Sequence, residues 1–332
     1  MLSALIAGTR RYLALGLLAG LSVWVRPDGL TLLGPIIFTA ILSENSWSSR
    51  GKTILKILIG FGALFLPYLL FNLALSGNPM PNTFYAKQAE YQAYWLSKPL
   101  SERITDYLLP VMASPFLVLI PGVFIWANKI IRARNWGALT GIIWFFGYIA
   151  IYFMRLPAYQ HGRYIIPALP ILYFWGVLGI TEFAASTGTN QRIVFLWQNL
   201  IGILCAAFSF IGARQNAQDV YWIESQMVET AKWVQQNVPP NALLAIHDIG
   251  ALGYYLPNPI IDMAGLITPE VVPFIRDEEK LAQYLDSTSV DYLIVFRNAY
   301  PNLPSQRAPV FVAGLEPGPV DTENNMYVYR WK

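Results

Sequence analysis

The sequence predicts a polytopic α-helical membrane protein of about seven spans, ending in a smaller water-soluble α/β domain. Three observations predict it. Of 332 residues, 55% are hydrophobic and only 13% charged, about half the charged share of an average soluble domain. The charges that remain before Asp219 are bunched in short breaks between apolar runs. From Asp219 onward they spread as they do in an ordinary soluble domain, so residues 1–212 read as the transmembrane part and 213–332 as a separate domain.

The apolar runs come in order. Tyr12 to Val25 follows Arg10-Arg11, and Arg26-Pro27-Asp28-Gly29 leads straight into Leu30 to Leu42. Each of these two runs is short of the roughly 30 Å hydrocarbon core, so their junction is expected to sink toward the bilayer. Pro27 suits a first helical turn and Asp28 the positive end of that helix. Ile54–Leu75, Tyr107–Trp126, Trp136–Met154, Ile165–Ala184 and Ile193–Ile211 complete the set. Arg10/Arg11, Arg50/Lys52 and Lys129/Arg132/Arg134 fall on one side if the spans alternate, and the positive-inside rule makes that side cytoplasmic. The other side then receives Arg26–Gly29, the polar segment from Asn78 to Asp106, Arg155–Tyr164 and the C-terminal domain. Localisation in the plasma (inner) membrane with an extracytoplasmic C-terminal domain is the expectation.

In the C-terminal part, Asp219–Asn237 has helical spacing and Pro239-Pro240 ends it. Leu243–Ile246, Pro259–Met263, Val290–Phe296 and Met326–Trp331 read as strands, with helices at Gly250–Leu256 and Glu278–Asp286 between them. Strands interleaved with helices make a small α/β layer structure.

The formal net charge of +3 excludes a nucleic-acid footprint. Cys205 is the single cysteine, so no intrachain disulfide forms. With two histidines in the chain, a zinc site is not expected, and no cofactor is implied.

Three polar patches carry the chemistry. Arg26-Pro27-Asp28-Gly29 sets a guanidinium beside a carboxylate near membrane depth, and arginine's fork suits a phosphate; the bland alternative is snorkelling and helix capping. Pro81–Lys87 gathers Asn82, Thr83, Tyr85 and Lys87 within two turns. Phe84, Tyr91 and Trp95 share a helical face expected to lie on the bilayer surface. His161-Gly162-Arg163-Tyr164 places an imidazole and a guanidinium at the mouth of a span, where His161 can carry a proton near neutral pH. All three are expected at the outer face, where they would grip one anionic headgroup. Asp248 and Asp262 end neighbouring strands and are candidates for a common cleft. His247–Gly253 lacks the spacing of a phosphate loop.

Gly77-x-x-x-Pro81-Asn82-Thr83-x-x-x-Lys87, Arg26–Gly29, His161–Tyr164 with Pro167, and Ile261–Leu266 together resemble the polytopic GT-C glycosyltransferases. The likeness is greatest to the terminal β-(1→2)-arabinofuranosyltransferase family and runs from about Gly16 to Phe296. The resemblance implies transfer of a sugar, with inversion, from a polyprenyl-phosphate donor to an extracytoplasmic glycan, lipid or protein. It implies Arg26, Asn82, Tyr85, Lys87, His161 and Arg163 as donor-binding residues. The family's acidic base lies in the first outer loop, whereas only a short basic stretch precedes Tyr12. The chain is therefore expected to begin several helices into the fold, with Asp28 the nearest carboxylate. Rival expectations are a lipid-linked glycan transporter, which needs ionisable groups deep in the spans, and a glycan-binding scaffold.

Overall fold

The computed structural model describes residues 10–112, 114–158, 162–186, 188, 190–304, 307–314 and 324–332. They fall into two compact units. Unit 1 comprises Met1–Pro81 and Tyr94–Phe208, and unit 2 comprises Asn82–Ala93 and Ser209–Lys332. A sequence division at residue 212 leaves out the Asn82–Ala93 segment that the structure groups with unit 2.

Unit 1 is helical. Its elements are α1 (Arg10–Val25), a 3-10 turn (Pro27–Leu32), α2 (Leu33–Ser43), α3 (Trp47–Ser76), and, after the helix α4 (Asn82–Ser97), α5 (Leu100–Met112), α6 (Ile120–Arg132), α7 (Trp136–Arg155) and α8 (Leu169–Ala185). Helix α9 (Gln191–Ile223) continues through a π turn (Glu224–Val228) into α10 (Glu229–Asn237). Among the described residues, four stretches are long and apolar enough to cross a membrane: Trp47–Ser76, Pro115–Arg132, Trp136–Arg155 and Gln191–Asn237. Leu66, Leu70, Phe124, Phe146, Phe174 and Ile203 are more than half exposed. So much bare hydrocarbon marks a membrane protein.

Helix boundaries follow local chemistry. Ser46 caps α3 by accepting from the Ser49 amide at 3.1 Å, and Gly77, at φ 69°, closes it in the left-handed conformation. Glu44 collects the turn before α3, accepting from Tyr12 Oη at 2.8 Å, from Thr53 Oγ1 at 3.3 Å and from Ser49 Oγ. The expected span Tyr107–Trp126 is broken: α5 stops at Met112, Pro115 opens a 3-10 turn capped by Ser114, and the chain re-enters a helix at Ile120 with Pro121 in its first turn. Proline supplies no amide to continue a helix but suits its opening turn. Conversely, the expected gap between Ile211 and Asp219 does not exist. Ala213, Arg214, Gln215 and Ala217 are strong helix formers, and no proline interrupts them.

Trp95 also departs from expectation. It is fully buried in unit 1, donating Nε1 to the Phe153 carbonyl at 2.7 Å with Arg103 over its ring, rather than lying with Phe84 and Tyr91 on a bilayer surface. An indole with a buried acceptor within reach gains more from packing than from an interface.

Glycine sets the closeness of two helix pairs in unit 1. A Cβ added at Gly16 or Gly60 would strike backbone of the partner helix in the α1–α3 pair. One at Gly122, Gly176 or Gly179 would do the same between α6 and α8 or the turn before α6. Lipid supplies no hydrophobic force between helices, so backbone approach over small residues takes its place.

Unit 2 contains a five-stranded sheet of order β2-β1-β3-β5-β4. The strands are β1 (Leu244–Ile246), β2 (Ile260–Asp262), β3 (Tyr292–Phe296), β4 (Pro309–Val312) and β5 (Met326–Arg330). β1 pairs parallel with β2 and β3, and β5 is antiparallel to β3 and β4. Helices α11 (Ile249–Tyr255) and α12 (Glu278–Ser287) make the crossovers. Side chains alternate across the sheet. Ala245, Leu293, Val295, Tyr327 and Tyr329 pack against Leu281 and Leu285 of α12, whereas Leu244, Ile246, Ile294 and Val328 pack against Ala231 and Val234 of α10 and Leu252 of α11. Both faces are covered, as parallel strands require. Strand β4, absent from the sequence reading, is a short edge strand whose first residue is Pro309, the position at which a sheet tolerates proline.

Gly179→Val should lower the thermal unfolding temperature of the detergent-solubilised protein by several degrees, in line with overpacking costs of about 1–3 kcal/mol. Gly147→Val, where an added Cβ meets nothing within 4 Å, should leave it nearly unchanged. Equal behaviour of the two variants would refute the close-packing account.

Candidate functional site

The sequence-predicted residues gather into two clusters, one in each unit. In unit 1 the Arg26–Gly29 break is tied down tightly. Arg26 is extended, as a residue before proline prefers, and Gly29 lies so close to Ser22 that any Cβ would collide. Asp28 does not cap the following turn. Its Oδ2 takes Arg26 Nη2 at 2.9 Å and Nε at 3.1 Å, its Oδ1 accepts from Tyr152 Oη, and Tyr148 Oη stands 3.5 Å from Oδ2. Trp144 Nε1 donates to Thr31 Oγ1 at 2.8 Å, and Thr31 donates on to the Asp28 carbonyl. Trp144, Tyr148 and Tyr152 recur at four-residue spacing, so one stripe of α7 supplies all three polar tips. Tyr164 stacks on Tyr152 with centroids 5.1 Å apart. The Asp28 side chain keeps 22% of its surface open. The result is a mostly buried carboxylate beside a half-exposed guanidinium, walled by aromatic rings.

Arg163 is exposed, next in sequence to Tyr164. His161 lies outside the described residues. Trp144, Tyr148 and Tyr152 sit inside a run whose composition reads simply as a span, and only their four-residue spacing signals the stripe.

In unit 2 the cluster is built on α4. Asn82, Ala86 and Glu90 recur every fourth residue and form its buried stripe: Ala86 has no exposure, Glu90 4%, and the Asn82 side-chain oxygen is buried without a hydrogen-bond partner among the described residues. Tyr85 is half-buried, edge-on to Phe84. Lys87 Nζ reaches Glu90 Oε2 at 2.9 Å. Glu90 Oε1 lies 3.5 Å from His247 Nε2 and 3.6 Å from Arg276 Nη2, and Arg276 Nε donates to the Glu90 backbone carbonyl at 3.1 Å. Tyr91 lies under Lys87 at 5.0 Å. Lys87 is therefore committed to an internal carboxylate. Glu90, Arg276 and His247 in this role were not read from sequence, because the partners are remote along the chain.

Asp248 and Asp262 are not brought into an open cleft. Asp248 caps α11 through the Gly250 amide at 3.1 Å. Asp262 has no exposure and accepts from the amides of Ala264, Leu266 and Ile267, fixing the turn after β2. Among the described residues, no three His, Cys, Asp or Glu side chains are grouped to hold a metal ion.

Burial alone would raise the Glu90 carboxyl, but the His247 imidazole and the Lys87 ammonium outweigh it and hold it down from 4.5 to about 2. A lowered carboxylate stabilises the fold fully above its unfolded value, and the gain is lost as pH falls toward the folded one. Glu90 thus contributes up to about 3 kcal/mol at neutral pH. Wild type should unfold at a higher temperature than Glu90→Gln at pH 7, with the gap closing between pH 4.5 and 2. A gap that does not change with pH would contradict this.

Residues 215–329 match the model of a family described as a domain of unknown function, DUF8728. No curated protein and no solved structure matches the chain.

Proposed function

We propose that this protein is a membrane glycosyltransferase that moves a sugar from a polyprenyl-phosphate donor to an acceptor outside the cytoplasm. The observation that supports it best is the convergence of Arg26, Tyr148 and Tyr152 on Asp28 at a break between two apolar helices. Ionisable groups kept at membrane depth are costly and belong to function far more often than to packing.

Each group has a role in that chemistry. The acceptor hydroxyl oxygen attacks the anomeric carbon, its proton passes to the Asp28 carboxylate, and the bond to the phosphate oxygen breaks with the phosphate taking the electron pair. Arg26 and Arg163 suit the departing phosphate, whose growing charge a fixed guanidinium stabilises. The stacked rings of Tyr152 and Tyr164 offer an apolar face for a sugar. Asn82, Tyr85 and Lys87, which the resemblance implies as donor-binding residues, belong to unit 2 and are given no role at Asp28. About seven spans, a C-terminal domain outside the cytoplasm and a plasma-membrane location belong to the same proposal, supported by the basic breaks at Arg10/Arg11, Arg50/Lys52 and Lys129–Arg134.

The test is sugar transfer by the full chain in lipid vesicles, using a panel of polyprenyl-phosphate-linked pentoses and hexoses. Asp28→Asn should reduce turnover by about 10²-fold or more, the usual contribution of a positioned base. Tyr152→Phe should have a smaller effect. Unchanged turnover in Asp28→Asn would overturn the assignment.

A further inference from the structure

Unit 2 carries a second cluster that sugar transfer at Asp28 does not use. In an open parallel sheet, ligands sit outside the carboxyl ends of the strands, where the strand order reverses and the loops diverge. Here the chain leaves β1 for β2 and then returns to the other side of β1 as β3, so that place lies between the ends of β1 and β3. His247 follows β1 there, Tyr300 follows β3, and their rings meet edge-on at 5.2 Å. The Glu90 carboxylate of α4 is seated against His247 at the same point.

We propose that this crevice is a phosphate-binding site and that Glu90 is its built-in occupant, a carboxylate held where the phosphate group of a ligand binds and displaces it. The donor set is the first reason. Lys87 faces one carboxylate oxygen, and His247 and Arg276 face the other. Ammonium, imidazole and guanidinium arranged around a few oxygens is how proteins take up phosphate, with arginine giving a directed fork and lysine a point charge. The second reason is fit. Contacts of 3.5 and 3.6 Å exceed the roughly 2.7–2.9 Å of a charge-assisted hydrogen bond. His247 Nε2 is buried and has no hydrogen-bond partner among the described residues. A two-oxygen carboxylate satisfies Lys87 and leaves the other two bases short; a phosphate has more oxygens to offer them. The third reason is charge. Lys87 and Arg276 outnumber Glu90 even with His247 neutral. Asp262 directs its oxygens at the amides of the turn after β2, and Glu278 is spent on Asn302 and Leu303. The site also stays reachable, since the Lys87, His247 and Arg276 side chains keep 29%, 21% and 49% of their surface open.

The chain has two histidines, so the full-length protein carrying 13C-labelled histidine gives two imidazole signals, assigned by His161→Ala. Inorganic phosphate, and separately vesicles containing polyprenyl phosphate, are titrated in. The His247 signal should shift saturably in wild type, half-saturation should fall at least tenfold in Glu90→Gln, and Arg276→Ala should abolish the shift. A response to free phosphate assigns a soluble phosphate ligand, and a response only to the vesicles assigns a lipid headgroup. No His247 shift with either probe, or a Glu90→Gln variant that folds yet binds no tighter than wild type, overturns the proposal. If Glu90→Gln does not fold, the wild-type titration with its Arg276→Ala control decides alone.

Discussion

A carboxylate with 4% of its residue surface exposed is not tolerated without cations, and the burial of Glu90 is the constraint on which unit 2 depends. Removing a charge from water costs several kcal/mol, and close opposite charges must return it. Lys87 comes from the same helix, but His247 and Arg276 come from the loop after β1 and from the turn before α12. Satisfying one side chain therefore requires Asn82–Ala93 to be present with the sheet, and it explains why that short segment groups with residues more than a hundred positions away. Gly265 fits the same stripe: at φ 72° it turns the loop after β2 so that a Cβ added there would lie 3.6 Å from Ala86 Cβ.

Unit 1 obeys a different physics. Two of its helix pairs approach through glycine beside buried apolar clusters, while the outer surfaces stay apolar. Within that packing, Arg26, Asp28, Thr31, Trp144, Tyr148 and Tyr152 near the Arg26–Gly29 break are engaged with one another. Such a network specifies geometry well, since every member loses a partner if one moves. That is the property a site needs if it is to hold a reactive carboxylate beside aromatic rings.

Much of the fold was legible in the sequence and the site was legible in part, for identifiable reasons. Strands β1, β2, β3 and β5 were readable because short apolar runs were cut off by His247, Asp262 and Arg297, whereas β4 hid behind Pro309 in a stretch too short to show alternation. The proline-rich run from Pro110 to Pro121 was read as one span because composition alone does not say where a helix restarts. Arg26 and Asp28 were legible as charges interrupting hydrocarbon. Tyr148 and Tyr152 were not, since a tyrosine within a span counts as apolar until its hydroxyl finds a partner. Glu90 was invisible for a further reason: its burial is created by residues far along the chain, and nothing in Ala89-Glu90-Tyr91 distinguishes it from a solvated helix position. His161, read as a site residue, lies outside the described residues.

If the cations around Glu90 hold unit 2 together, Glu90 and Arg276 are energetically coupled. A double-mutant cycle on the full chain, with Glu90→Gln, Arg276→Met and the pair, measures this directly from unfolding free energies. A coupling of about 0.5–1 kcal/mol is expected, the low end of the range for residues in one ion-pair network because the Arg276 side chain is half exposed. Additive effects, with coupling indistinguishable from zero, would contradict it.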